Sequence, residues 1–444
     1  MEMLVLVFLG QILSCTWQIT TFQETFLTTS VFIGAMIGGI TIGNLSDKYG
    51  RKTVLVMSSG CLIYFSMLSA FVPTIEWLMG IRLLIGVCLA GIMVSMSALA
   101  SELLPTNYRG TALVIILGFW PIGSYFLTTL SMLIVPYYGW RVFLLVSIIP
   151  LFCSIPLFLW IPESPRFLLL SDRRSDSLAI LNRISRFNKS YVIKEIKTEN
   201  KNSKNVSFCQ SVTSFAHSNY LSTTILTNIL WAISGISYYS IIILIPAVNV
   251  IPRHCLETIE GVSKDYNSSI TDNDNSCCTD LNWESYKELY ISTSGELLFL
   301  VISVFMMEIL PRKVIMALLS SITGFGYIFL NLCLTNFGTT FLLFSIRGAI
   351  FTMFNLNYIY TSEVFPTSIR SLAMGVCYFS ARIGCILSPF LVYMLIAKYS
   401  FVFGTLLLGG LNIMAFFLVL FLPYETKNRK LYQTTDINEN SATE

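Results

Sequence analysis

The sequence predicts an all-α membrane protein built as two six-helix bundles in pseudo-twofold repeat, and three observations predict it. Of its 444 residues, 54% are hydrophobic and only 12% charged, with a mean hydropathy of +0.70; a soluble domain carries about 25% charged residues. Eleven apolar runs are long enough to cross a bilayer, which takes about 20 residues. Four polar landmarks of the first half return in the second at an offset of 261 or 262 residues.

The elements follow in order. Every backbone polar group in lipid must be satisfied within its own segment, so each apolar run is expected to be a helix. The opening run, Met1 to about Leu13, is too short to span and lacks the basic start and small-residue cleavage site of a signal peptide. It reads as the outer half of a first helix, incomplete at its start. Runs at 26–45, 53–73, 76–101, 109–135 and 140–161 complete a first half over 1–161. A long basic loop, 162–221, carries Arg173, Arg174, Arg183, Arg186, Lys189 and Lys194 among others. Runs at 222–247, 289–310, 314–335, 338–361, 371–396 and 401–422 form a second half over 222–422, interrupted by an acidic loop at 248–288 and followed by a tail, 423–444.

Charge sets the orientation. Lys48, Arg51, Lys52, Arg109, Arg312, Lys313, Arg370, Lys427, Arg429 and Lys430 all fall on the side of the long basic loop, whereas the opposite short loops offer Lys398 and Arg141. Cytoplasmic loops are the ones rich in Lys and Arg, so the basic loop and the C-terminus are expected inside and the 248–288 loop outside. That places Cys255, Cys277 and Cys278 in an oxidising space, where at least one disulfide is expected, with Cys15 as a fourth candidate. Asn267-Ser268-Ser269 is a glycosylation sequon on the same side, while Asn44, Asn188 and Asn205 lie in sequons on the other. The remaining cysteines sit singly in apolar runs and read as small hydrophobes.

The repeat is the strongest internal signal. Gly43-Asn-Leu-Ser-Asp-Lys-Tyr-Gly-Arg-Lys52 is answered by Met307-Glu-Ile-Leu-Pro-Arg-Lys313, so that Asp47 matches Glu308 and Arg51 matches Arg312. Glu102-Leu-Leu-Pro-Thr-Asn-Tyr-Arg109 is answered by Glu363-Val-Phe-Pro-Thr-Ser-Ile-Arg370, and Phe158 to Glu163 by Phe421 to Glu425. Two six-helix halves in parallel repeat describe the major facilitator architecture, and Gly43 to Lys52, with Arg82-Leu-Leu-Ile-Gly86, resembles the loop motif of that superfamily. Pro162-Glu-Ser-Pro-Arg166 and Pro423-Tyr-Glu-Thr-Lys427 are similar to its sugar and organic-ion branch. Met1-Glu2-Met3, Tyr358 to Thr367, Ala381-Arg-Ile-Gly384 with Ser388-Pro389-Phe390, and the cysteine-bearing loop resemble the synaptic-vesicle-protein-two-related group, kin of the organic cation and anion transporters. Two departures stand out: Glu308 and Pro311 replace the usual Asp and Gly in the second loop motif, and the acidic residue the group carries before Met1 is absent.

The resemblance implies roles. Asp47 would pair with an arginine and cap a neighbouring helix, locking the outward-open state with Gly43, Gly50, Arg51 and Lys52. Glu102 with Arg109, and Glu363 with Arg370, would form the matching relays. Glu163, Arg166, Glu308, Arg312, Lys313 and Glu425, with Arg82 and Arg347 in the outer halves of helices four and ten, complete the gating set. The plainer alternative is positive-inside charge with incidental carboxylates. Charges inside the runs are expensive in lipid and face cavities or partners. Glu2, Glu296 and Arg382 are therefore cavity candidates, Arg382 at the position where organic anion transporters hold a cation; the alternative is that Glu296 and Arg382 neutralise each other or bond to backbone. Trp120, Trp231, Tyr238, Tyr239, Asn355, Asn357 and Tyr358 are candidates to line the same cavity by stacking and cation–π contact.

The expected function is alternating-access transport of a small organic solute, an organic anion or zwitterion before a neutral sugar, with a proton or other ion as a candidate coupled partner. A non-transporting transceptor or vesicle-resident regulator is the alternative, favoured by the degraded second motif. The expected setting is a plasma or vesicle membrane, with lipid as the other partner. No enzyme, cofactor, metal or nucleic acid is expected. The two histidines, His217 and His254, lie in or beside loops, no Cys/His ligand spacing occurs, and no Gly-rich phosphate loop or basic–aromatic stretch is present.

Overall fold

The computed structural model describes residues 2–103, 109–188, 221–247, 283–332, 334–365, 370–396 and 400–427. Cys255, Cys277, Cys278 and Asn267 lie outside the described residues. The elements are α1 Glu2–Trp17, α2 Thr21–Tyr49, α3 Arg51–Ser69, α4 Ile75–Leu103, α5 Arg109–Ser147, α6 Ile149–Trp160, α7 Pro165–Leu170, α8 Arg174–Phe187, α9 Leu221–Ala247, α10 Trp283–Ile309, α11 Arg312–Phe329, α12 Asn336–Val364, α13 Arg370–Pro389 and α14 Phe401–Leu420. Among the described residues, ten stretches are long and apolar enough to cross a membrane. One of them, Gly118–Trp160, is 43 residues long and breaks at Gly139, whose φ of 76° and ψ of 175° are non-helical. That backbone region is essentially reserved for glycine, so the single stretch holds two of the expected crossings.

Local chemistry explains most of the other boundaries. Thr335 and Ser400 cap α12 and α14 by accepting from the amides of Gly338 and Phe403 at 3.3 Å each. Pro389 ends α13, and the chain continues as a π-helical segment, Phe390–Ile396, where the missing proline N–H breaks the α register. The first part of the basic loop holds α7 and α8, the first capped by Ser164, whose hydroxyl accepts from Phe167 N at 3.2 Å.

By packing, the chain forms two compact units. The first comprises Met1–Thr29, Gly118–Trp140 and Tyr220–Glu444. Within it α9 lies against α13, α12 and α14, α10 against α12, and α11 against α12 and α14. The second comprises Ser30–Leu117 and Arg141–Asn219, with α3 against α4 and α6, and α7 against α8. Small residues let the backbones close. A Cβ at Gly38 of α2 would meet Val87 of α4 at 2.7 Å, and one at Gly86 would meet the Ala35 amide at 2.9 Å.

Candidate functional site

In the first unit, a buried polar network forms where α5, α9, α10 and α12 meet. Arg347 of α12 donates from Nε to Glu296 Oε1 of α10 at 2.7 Å, and the two side chains are 2% and 0% exposed. The other guanidinium nitrogens are engaged as well, Nη1 by Ser292 at 3.3 Å and Nη2 by Ser124 of α5 at 3.1 Å. Tyr238 of α9 donates to the same Glu296 oxygen at 3.3 Å and accepts from Trp120 Nε1 at 2.6 Å. The second carboxylate oxygen, Oε2, is buried with no hydrogen-bond partner among the described residues. Burial of an ion pair is tolerable only when its remaining donors are also satisfied, and here the arginine is and half of the carboxylate is not.

Arg382 lies in a different setting. It donates to the Tyr378 hydroxyl one turn earlier on α13, and its guanidinium carbon is 4.5 Å from that ring's centroid. Its Nη1 is 3.9 Å from the Met3 sulfur, which also accepts from the Tyr239 hydroxyl at 3.2 Å. Arg382 is 7% exposed, makes no ion pair among the described residues, and leaves Nε without a partner. Tyr239, which shares the Met3 sulfur with Arg382, is in edge contact at 5.2 Å with Tyr238 of the Glu296 network.

Further along α12, Trp231 donates to Thr361 at 3.0 Å and packs on Phe354 and Tyr358. Asn357 donates to Ser234 at 2.8 Å, while Asn355 is buried with Nδ2 unpartnered. Glu2 is buried at the start of α1. The alternative reading, in which Glu296 and Arg382 neutralise each other, is not what the structure shows, because Glu296 is held by Arg347. Arg347, expected as a gating residue, is thus the carboxylate's partner. Reading from residue types missed Ser124, Ser292, Met3, Tyr378, Phe354 and Ser234. Helical periodicity carried a signal for several, since Ser292, Tyr378 and Ser234 each precede a predicted site residue by four positions.

The residues expected to gate form one charged cluster in each unit. In the second unit, Arg51 bridges Asp47 and Glu102 at 3.2 Å each, and its guanidinium faces the Phe167 ring at 5.6 Å. Glu102 also accepts from Ser164 Oγ. Glu163 Oε1 accepts from Lys52 N at 3.1 Å, so the acidic cap of α3 is Glu163 and not Asp47, a favourable charge at a helix N-terminus. Gly50 makes that approach possible: its φ is 100°, and a Cβ there would reach Phe167 at 3.0 Å and crowd the Glu163 carboxylate. Gly43 faces Val94 of α4, Arg166 is exposed, and Arg82 is fully buried in α4.

In the first unit the copy is close. Arg312 lies 3.6 Å from Glu363, and Glu425 accepts from the amides of Arg312 at 2.8 Å and Lys313 at 3.2 Å. Lys313 Nζ closes on Leu422 O at 2.5 Å, as Lys52 Nζ does on Leu159 O at 2.7 Å. Glu308 is the difference, exposed and without an ion pair among the described residues. Arg109 and Arg370 begin helices, but their side chains are not among the described ones.

Comparison with known proteins agrees with the fold. A family model described as "Sugar (and other) transporter" matches residues 8–248, and one described as "Major Facilitator Superfamily" matches 289–440. The chain is 30% identical to the zebrafish (Danio rerio) "Putative transporter SVOPL" over 98% of its own length and 84% of that protein's. It is 31% identical to the bovine (Bos taurus) "Synaptic vesicle 2-related protein", with 98% and 77% coverage, and 31% identical to the Arabidopsis thaliana "Organic cation/carnitine transporter 7", with 97% and 89% coverage. Among solved structures, a partially occluded inward-open form of the E. coli xylose transporter XylE superposes with a TM-score of 0.70 at 17% identity, over 97% of this chain and 95% of that one. With the family models, the full-length relatives and the shared fold in agreement, the chain belongs to the major facilitator superfamily of membrane transporters.

Proposed function

We propose that this membrane transporter carries an organic anion or zwitterion, the anion before the zwitterion. The observation that carries the reading is the unequal neutralisation of two buried charges. Glu296 has Arg347 within 2.7 Å, whereas Arg382 has a tyrosine and a thioether. A guanidinium stays charged at any accessible pH and forks onto carboxylates, so a solute carboxylate supplies what the protein withholds. Trp120, Trp231, Tyr238, Tyr239 and Tyr358 offer rings for the solute's organic body, and Asn355 a free amide donor. The unpartnered Glu296 Oε2 supports a second role, accepting a solute N–H or O–H or a coupled proton. The gating relays and the basic loop are read as cytoplasmic, in a plasma or vesicle membrane. The non-transporting reading rested on a degraded second latch, and the Arg312–Glu363–Glu425 set weakens that ground.

The test is a thermal-shift screen of the purified protein against organic anions, cations, zwitterions, sugars and nucleotides, followed by Arg382→Ala and Arg382→Lys. Loss of a buried charged partner costs about 2–5 kcal/mol, so Arg382→Ala should weaken binding of the stabilising anion by tens-fold or more. Arg382→Lys should rescue part of it. Unchanged affinity in Arg382→Ala would make that residue structural and move the solute site to the aromatics.

A further inference from the structure

We propose that the end of α6 and the exposed face of α8 bind the headgroup of an anionic phospholipid. Phe152, Leu157 and Leu159 are exposed along α6, and the helix ends at Trp160, which is 73% exposed. An apolar surface closed by an exposed tryptophan marks the level where hydrocarbon meets headgroups. Arg183 of α8 holds its guanidinium 5.8 Å from the centroid of that ring, so it stands at phosphate depth.

The charge balance of α8 singles out two cations. Arg173 is neutralised by Asp176 at 2.7 Å and Arg174 by Asp172 at 3.4 Å. Arg183 and Arg186, three residues apart and hence on one face, are exposed and make no ion pair among the described residues. Lys52 adds a third positive charge at the end of α6: its ammonium is tied to Leu159 O at 2.7 Å by one of its three N–H donors. Glu163, the nearest carboxylate along the chain from Trp160, is already engaged by the amides of Lys52 and Ser164. Arginine forks are suited to phosphate oxygens. Phe187, 90% exposed beside Arg186, gives the face an apolar contact, as on helices that lie in the membrane interface. That flank selects a lipid over a soluble phosphate, since a free anion gains nothing from Phe187 or Trp160.

The site is tested on the full-length protein extracted from bilayers of phosphatidylcholine and phosphatidylglycerol, with retained lipids counted by native mass spectrometry. The wild-type chain should retain phosphatidylglycerol in preference. At the strength of two interfacial arginines, Arg183→Gln with Arg186→Gln should cut that preference by about 10- to 30-fold, with the melting temperature of the variant confirming that it folds. Phe187→Ser, which leaves every charge in place, should reduce retention without abolishing it. Equal retention of the two lipids by the wild type, an undiminished preference in the double variant, or displacement by millimolar inorganic phosphate would each overturn the proposal, the last by showing a soluble-anion site.

Discussion

At the scale of single residues, the buried Glu296–Arg347 pair is the feature with the clearest consequences. Taking two opposite charges out of water is repaid only with excellent geometry, and Arg347 has it, with Ser292, Ser124 and Glu296 on three separate nitrogens. Removing one member leaves the other buried and unpaired. Arg347→Ala is therefore expected to destabilise by about 3–5 kcal/mol, and Glu296→Leu with Arg347→Met, which fills the space and removes both charges, by far less. Melting of the detergent-solubilised variants measures the first statement. If the pair serves function and not folding, the double variant should melt near the wild type yet fail to transport. A double variant that transports normally would reduce the pair to a packing device. Arg382 differs in kind, because its partners are a hydroxyl and a thioether and its removal strands no carboxylate among the described residues.

At the scale of elements, the charges meet because glycines beside them let two helices touch. Gly295 precedes Glu296 and Gly348 follows Arg347. A Cβ on Gly348 would come within 2.6 Å of Gly295 O and 2.9 Å of its carbonyl carbon, so backbone would have to move. The crossing of α9 and α13 repeats the device, with Gly235 against Ala381 and Gly384 against Ile236, close to Tyr238 and Arg382. Gly348→Ala is expected to destabilise by about 1–3 kcal/mol, as overpacking does, and to lengthen the ion pair. Gly410→Ala, on an exposed position of α14 with nothing within 4 Å of the added Cβ, should instead stabilise by about 0.5–1 kcal/mol, because alanine loses less freedom in a helix. Melting curves for the two variants shifting in the same direction would refute this reading. The spans themselves were legible as apolar runs, and the offset of 261 to 262 exposes the duplication in the sequence itself. α8 was not legible, because half-polar helices on a surface do not stand out by apolarity. Nor was the partner of Glu296, although it left a trace. Glu296 and Arg347 stand thirteen residues (283 to 296) and eleven residues (336 to 347) past the starts of α10 and α12, two helices expected to run in the same direction and thus to carry the charges at similar depth.

At the scale of the whole molecule, the repeat has preserved a chemical unit in each half: an arginine at the start of a helix, a carboxylate on the helix that follows in the motif, and a glutamate capping the first helix from a distant segment. Arg51, Glu102 and Glu163 form it once, and Arg312, Glu363 and Glu425 again. What the halves do not share is the fourth member, since Asp47 lies 3.2 Å from Arg51 while exposed Glu308 pairs with nothing described. An exposed pair such as Asp47–Arg51, with Asp47 75% accessible, adds at most about 1 kcal/mol, too little to hold the fold but enough to bias two conformations of near-equal free energy several-fold. Asp47→Asn should accordingly leave melting almost unchanged while shifting the molecule away from its outward-open state and altering transport rate more than solute affinity. Glu308→Gln should do neither. The capping glutamates make the complementary case, because each satisfies helix-end amides in a structurally equivalent place. Glu163→Gln and Glu425→Gln should therefore impair the protein to similar degrees. Labelling rates of a cysteine introduced on the extracytoplasmic side, compared across the four variants, report the equilibrium directly. Matching effects from Asp47→Asn and Glu308→Gln would mean that the latch is shared evenly between the halves and that the missing ion pair at Glu308 carries no functional weight.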